Sequence, residues 1–148
     1  AYVADENTNN LVEFFLVELA SPAVSIKLNG PLVAGGDITT DFAFTPGGTA
    51  LIYVADQDTD DVFELYRVER ATPGTTVKLN APLVAGGNVQ SPGFEQSDDG
   101  MDLFYIADQA IDEDFELYVV DLATPGAATE VGVPPTAGGD VLEFSLIQ

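Results

Sequence analysis

One segment of this chain is written three times. YVADENTNNLVEFFLVELASP starts at Tyr2, YVADQDTDDVFELYRVERATPG at Tyr53 and YIADQAIDEDFELYVVDLATPG at Tyr105, at offsets of 51 and 52 residues. A second shared block follows each copy: KLNGPLVAGGD, KLNAPLVAGGN, and a degenerate VGVPPTAGGD. A third precedes two of them, DFAFTPGGTALI before Tyr53 and GFEQSDDGMDLF before Tyr105. Self-similarity at a fixed period means that each unit is one small motif that buries its apolar surface against its neighbours. The units run roughly 2–52, 53–104 and 105–148, within a single segment spanning 1–148.

Within a unit the local signals read as four strands. Phe42 to Phe44 is a short strand closed by the turn Pro46-Gly47-Gly48, matched in the next unit by Asp98-Asp99-Gly100. Such residues preset φ or tolerate positive φ. Ala50 to Ala55 is β-branched and aromatic, and ends at the polar loop Asp56 to Asp61. Phe63 to Glu69 alternates between faces and stops at Thr72-Pro73-Gly74. Thr76 to Leu79 is the fourth strand, and Pro82 to Gly87 crosses to the next unit. No stretch has a helical period with caps. Four strands repeated at about 50 residues is the pattern of a β-propeller blade. The predicted fold class is therefore all-β, with three four-stranded antiparallel propeller blades. They are circularly permuted, since the chain enters at the second strand of a blade and leaves with a first strand, Val141 to Ile147.

Composition removes several kinds of chemistry. The chain has no cysteine and no histidine. Disulfides, thiolate metal sites and Ser-His-Asp or Cys-His machinery are excluded, along with the commonest general base. The 25 acidic side chains stand against 4 basic ones, a formal net charge of −21. Such a surface repels phosphate backbones and anionic lipid, so no nucleic-acid partner is expected. No run of 18 apolar residues exists, and no membrane insertion is expected. With 46% hydrophobic residues the chain is not a disordered acidic tail.

Two loops carry oxygen donors at alternate positions. Asp56, Asp58 and Asp60 match the start of a calcium loop, and Asp5, Asn7 and Asn9 match its looser form. Alternating oxygens can converge on a hard cation, which takes about 6–8 of them. The third copy breaks the pattern at Ala110, and the glycine and distal glutamate of an EF-hand are missing. The competing reading is a solvated hairpin loop held by local Asp and Asn hydrogen bonds. Calcium is thus the one candidate cofactor. Glu13, Glu64 and Glu116 recur at one position of each unit. Repetition separates them by a unit instead of pairing them as glycoside hydrolysis requires, so they read as structural. Tyr53, Tyr66, Tyr105 and Tyr118 read as core between units.

The run FTPGGTALIYVADQDTDDVFELYRV resembles the TolB-like (PD40, WD40-like) propeller repeat, with its turn, its Ile-Tyr-Val strand and a strand ending in a Leu-Tyr-Val pattern. The resemblance extends over essentially the whole chain. The Gly-Gly doublets are also similar to kelch repeats, but those carry a Trp, and this chain has none. The resemblance implies a non-catalytic protein-interaction scaffold, extracellular or periplasmic, that binds a protein partner. The alternatives are a propeller domain of a larger peptidase- or polysaccharide-associated hydrolase, and a calcium-stabilised surface module. Closed propellers have about 4–8 blades. The chain is then either part of a longer array or half of a homodimeric six-bladed ring, each C-terminal strand completing the partner's first blade.

Like-charge repulsion weakens a compact state and is screened by salt. The melting temperature is therefore expected to rise from low to molar salt, or on adding calcium; a flat profile in scanning calorimetry would count against this.

Overall fold

The computed structural model describes residues 1–9, 11–132 and 138–147. All regular structure among them is β. The strands are β1 (Tyr2–Ala4), β2 (Glu13–Val17), β3 (Ser25–Lys27), β4 (Ile38–Phe44), β5 (Ala50–Ala55), β6 (Glu64–Glu69), β7 (Thr76–Lys78), β8 (Val89–Gln96), β9 (Asp102–Ala107), β10 (Glu116–Asp121) and β11 (Thr129–Glu130). They form three antiparallel meanders, β1-β2-β3, β4-β5-β6-β7 and β8-β9-β10-β11. The second and third sheets have the four strands that the repeat predicts.

Two expectations need correction. The first sheet has three strands, not four. The segment Val141–Ile147, expected to be a strand, is not one. It starts as β8 does: the Val141 N–H donates to the Phe115 carbonyl at 2.8 Å, as the Val89 N–H donates to that of Phe63 at 2.8 Å. β4 and β8 then gain a ladder from β5 and β9. Among the described residues no strand stands in that place beside 141–147, and an extended segment without a ladder is not a strand. The crossover of the third unit, 133–137, lies outside the described residues.

β5 is buried at all six positions. Successive side chains of a strand point to opposite faces, and here both faces are covered. Leu51, Tyr53 and Ala55 pack with Phe14, Leu16 and Leu28 of the first sheet. Ile52 and Val54 pack with Leu103, Tyr105 and Tyr118 of the third. A sheet sandwiched on both sides needs apolar residues at both sets of positions, which is why the sequence shows no polar alternation there. Among the described residues β10 packs against another sheet on one side, and its burial alternates through Glu116, Tyr118 and Val120. Aromatic rings join the first two sheets, where Phe14 meets Tyr53 edge-on at 5.2 Å, and within the second sheet Tyr53 stacks on its cross-strand partner Tyr66 at 5.8 Å.

Backbone bonds tie each unit to the next. The Gly74 N–H, in the turn after β6, donates to Leu28 O at 2.8 Å, and Gly126 repeats this onto Leu79 O at 3.0 Å. The crossover does likewise, Val33 N–H to Gln57 O and Val84 N–H to Gln109 O, both at 3.1 Å. β4 and β8 lie side by side, with the Gly93 N–H donating to the Asp41 carboxylate and Gln96 Nε2 to Phe44 O, each at 3.1 Å. Both strands bulge, β4 between Ile38 and Phe42 and β8 between Val89 and Phe94. The second bulge holds one residue more, which turns the repeat offset from 51 to 52.

Leu65 is fully buried between the second and third sheets. Leu65→Ala is expected to cost about 2–5 kcal/mol in urea unfolding. Val119→Ala, on the outer face of the third sheet, should cost distinctly less; equal losses would contradict two-sided burial as the main stabilising contact.

Candidate functional site

The Asp-rich loop after β5 sends its alternate carboxylates to different places. Asp56 is buried. One of its oxygens accepts from the Asp37 N–H of the preceding crossover, and the other from the Asp61 N–H at 2.9 Å. Asp108 repeats the arrangement with the N–H groups of Asn88 and Glu113. Asp61 and Glu113 both have positive φ, which these carboxylate bonds hold in place. Asp58 turns to Lys78, 3.0 Å away. Asp60 lies over Gly35, where a Cβ would come within 2.5 Å of its carboxylate, and Gly35 has φ +93°. Asp112 and Gly86 repeat that packing. The Gly-Gly doublet thus has no side chain because an acidic loop closes over it.

The carboxylates of Asp56, Asp60 and Asp61 lie within 4.8 Å of one another. The predicted trio is therefore brought together only in part: Asp56 and Asp60 converge, Asp58 does not, and Asp61 joins them. In the first unit Asp5 and Asn9 are exposed. Asn7 Nδ2 donates to Glu13 at 3.2 Å.

A second polar cluster lies between the third and fourth strands. Glu13, Glu64 and Glu116 are all buried. Lys27 reaches Glu13 at 2.7 Å, and Lys78 reaches Glu64 at 2.5 Å. The Lys78 ammonium also lies 5.8 Å from the centre of the Tyr66 ring. The Tyr66 hydroxyl donates to Glu64 at 3.0 Å, and that of Tyr118 to Glu116 at 2.5 Å. Burial, then the adjacent glutamate, pushes both phenols well above their ordinary value, so they remain neutral donors. Burial also raises Tyr53 and Tyr105. Their hydroxyls donate to Gln57 and Gln109, each at 2.7 Å.

Sequence reading missed two buried amides. Asn29 accepts from the Phe14 N–H at 2.8 Å and donates to Gly30 O at 2.9 Å. Asn80 does the same with Leu65 and Ala81. The identical KLN triplets of the first two units were the available signal, and the third unit has Gly132 at that position. The lysine of each triplet lies 14 residues after its glutamate. That spacing marks the ion pair once the strands are laid antiparallel.

These partners separate a structural role from a metal-binding one. Asp56→Ala strips two part-buried N–H groups of the acceptor they share, at up to about 1–3 kcal/mol for each. Asp58→Ala breaks a half-exposed ion pair, at about 0–1 kcal/mol. Urea melts should show this order both in chelator and in millimolar calcium; a cost of Asp56→Ala that vanished in chelator would make the loop a calcium site.

No protein-family model matches the chain, and no curated protein matches it. Among solved structures, the fold is similar to that of a TolB-assigned protein from Agrobacterium tumefaciens, with TM-score 0.57 and 18% identity, over 86% of this chain and 41% of that one. The chain spans about two-fifths of that protein's length. At this identity the likeness is one of fold: antiparallel sheets in a TolB-like arrangement.

Proposed function

We propose that the three sheets are blades of a β-propeller ring with more blades than this sequence holds. The ring serves as a non-catalytic protein-interaction scaffold of a secreted or periplasmic protein. The observation that carries this reading is the match between the two outer faces. Phe104, Ile106, Leu117 and Val119 of the third sheet stand where Ile52, Val54, Leu65 and Arg67 stand in the second. Tyr2, Phe15 and Val17 of the first sheet stand where Tyr53, Tyr66 and Val68 receive the sheet before them. The back of the third sheet thus suits the front of a first sheet. Such a head-to-tail contact either closes a ring or continues an array.

The segment 141–147 fits the same reading as the inner strand of a further blade. It lies along β8, with the Leu146 N–H donating to Glu95 at 3.2 Å, much as β8 lies along β4. The TolB-like fold supports a scaffold role by analogy alone. The absence of histidine and cysteine supports a non-catalytic one, and the charge of −21 favours a basic partner.

Light scattering on the folded chain tests the contact. We expect a particle larger than the 15.6 kDa monomer, reduced to monomer by Leu117→Lys on the outer face. A folded wild-type monomer would rule out closure by a second copy.

A further inference from the structure

The third unit reverses a charge that the other two keep. In the first unit, Lys27 and Asn7 both bond the buried Glu13. In the second, Lys78 sits among Glu64, Asp58 and the Tyr66 ring. Two of the four cations in the whole sequence are thus placed on this one glutamate position. In the third unit the buried glutamate persists as Glu116, and so does the tyrosine, as Tyr118. The lysine position is Glu130, and the Asp58 position is Ala110. The register is unchanged, since Tyr118 pairs with Glu130 as Tyr66 pairs with Lys78.

By register, Glu130 brings a second carboxylate to the position at which the two counterparts of Glu116 have an ammonium. Glu116 keeps its bond from the Tyr118 hydroxyl. That bond does not replace the lysine, because Glu64 has both. A buried carboxylate with no cation beside a second carboxylate is costly. The truncation of Asp58 to Ala110 also removes the side chain that flanks the lysine in the second unit.

We propose that Glu116 and Glu130, beside the ring of Tyr118, form an acceptor site for the side-chain ammonium of a lysine on a partner protein. The first two units show the occupant, since each fills the same position with a lysine ammonium. The tyrosine face favours an organic cation, as it does for Lys78. Two carboxylates fall well short of the about 6–8 oxygens that calcium takes. The site lies at the outer-strand edge of the third sheet, next to β11 (Thr129–Glu130), both of whose residues are exposed.

The test is a low-salt NMR titration of the isotope-labelled full chain with a capped Gly-Lys-Gly peptide. Its controls are the same peptide with acetylated lysine, and calcium alone. Amide shifts centred on Tyr118 and Glu130 are expected with the lysine peptide and not with the acetylated one. They should disappear in Glu130→Lys, which supplies the ammonium internally, and persist in Asp98→Lys, which changes the net charge equally at a distant turn. Glu130→Lys should also melt higher than Glu130→Gln, which only relieves repulsion. An equal response to both peptides, a response to calcium alone, shifts that survive Glu130→Lys, or equal melting of the two variants would overturn the proposal.

Discussion

Everything in this structure depends on burying both faces of the same strand. β5 is sealed at every position because one sheet lies before it and another behind. Full burial of a leucine- or tyrosine-sized side chain contributes about 1.5–3 kcal/mol, and the middle sheet collects this on two sides. No single unit does so. A three-residue edge strand such as β7 has little apolar surface of its own to contribute. The stability of each unit is therefore inseparable from the presence of its neighbours, and each end sheet packs against one other sheet among the described residues, where the middle one packs against two.

Polar groups are arranged to serve that stacking. The crossover between units must pass close to the next sheet, and its part-buried backbone N–H groups need acceptors. Asp56 and Asp108 supply them. Asn29 and Asn80 do so at the start of the third strand, from the side of the fourth. Tyr53 and Tyr105 hand their hydroxyls to glutamines in the following loop. Part of the chain's excess of acid is thus not idle surface charge. Asp56 and Asp108 act as acceptors for backbone N–H groups of the crossovers and loops.

The sequence made the sheets readable because the period and the two-sided apolar strands are both local. The strands around Tyr53 and Tyr105 fall where the repeat puts them. Other features depended on what lies across space. Ile38 belongs to β4 although Thr39, Thr40 and Asp41 look polar, because a bulge lets the strand pass over them. The status of 141–147 hinged on a neighbouring ladder, which its own residues do not encode. The spacing of Asp56, Asp58 and Asp60 was plain, but their destinations were not, since Lys78 and the crossover at Asp37 lie far off in sequence. The change from lysine to Glu130 falls one residue ahead of the degenerate block VGVPPTAGGD. Its meaning came only when β11 was laid against β10.

The turns at Gly74 and Gly126, each bonded to the unit behind it, make the molecule a chain of nearest-neighbour couplings. Such systems behave as one-dimensional lattices, in which order spreads from a formed junction and frays from the ends. Mechanical or thermal stress should accordingly travel along the stack as a moving boundary, with the middle sheet the last to lose its register. The same property lets a sequence of this kind lengthen by copying a unit, since a new copy needs only the two junctions that every existing copy already makes.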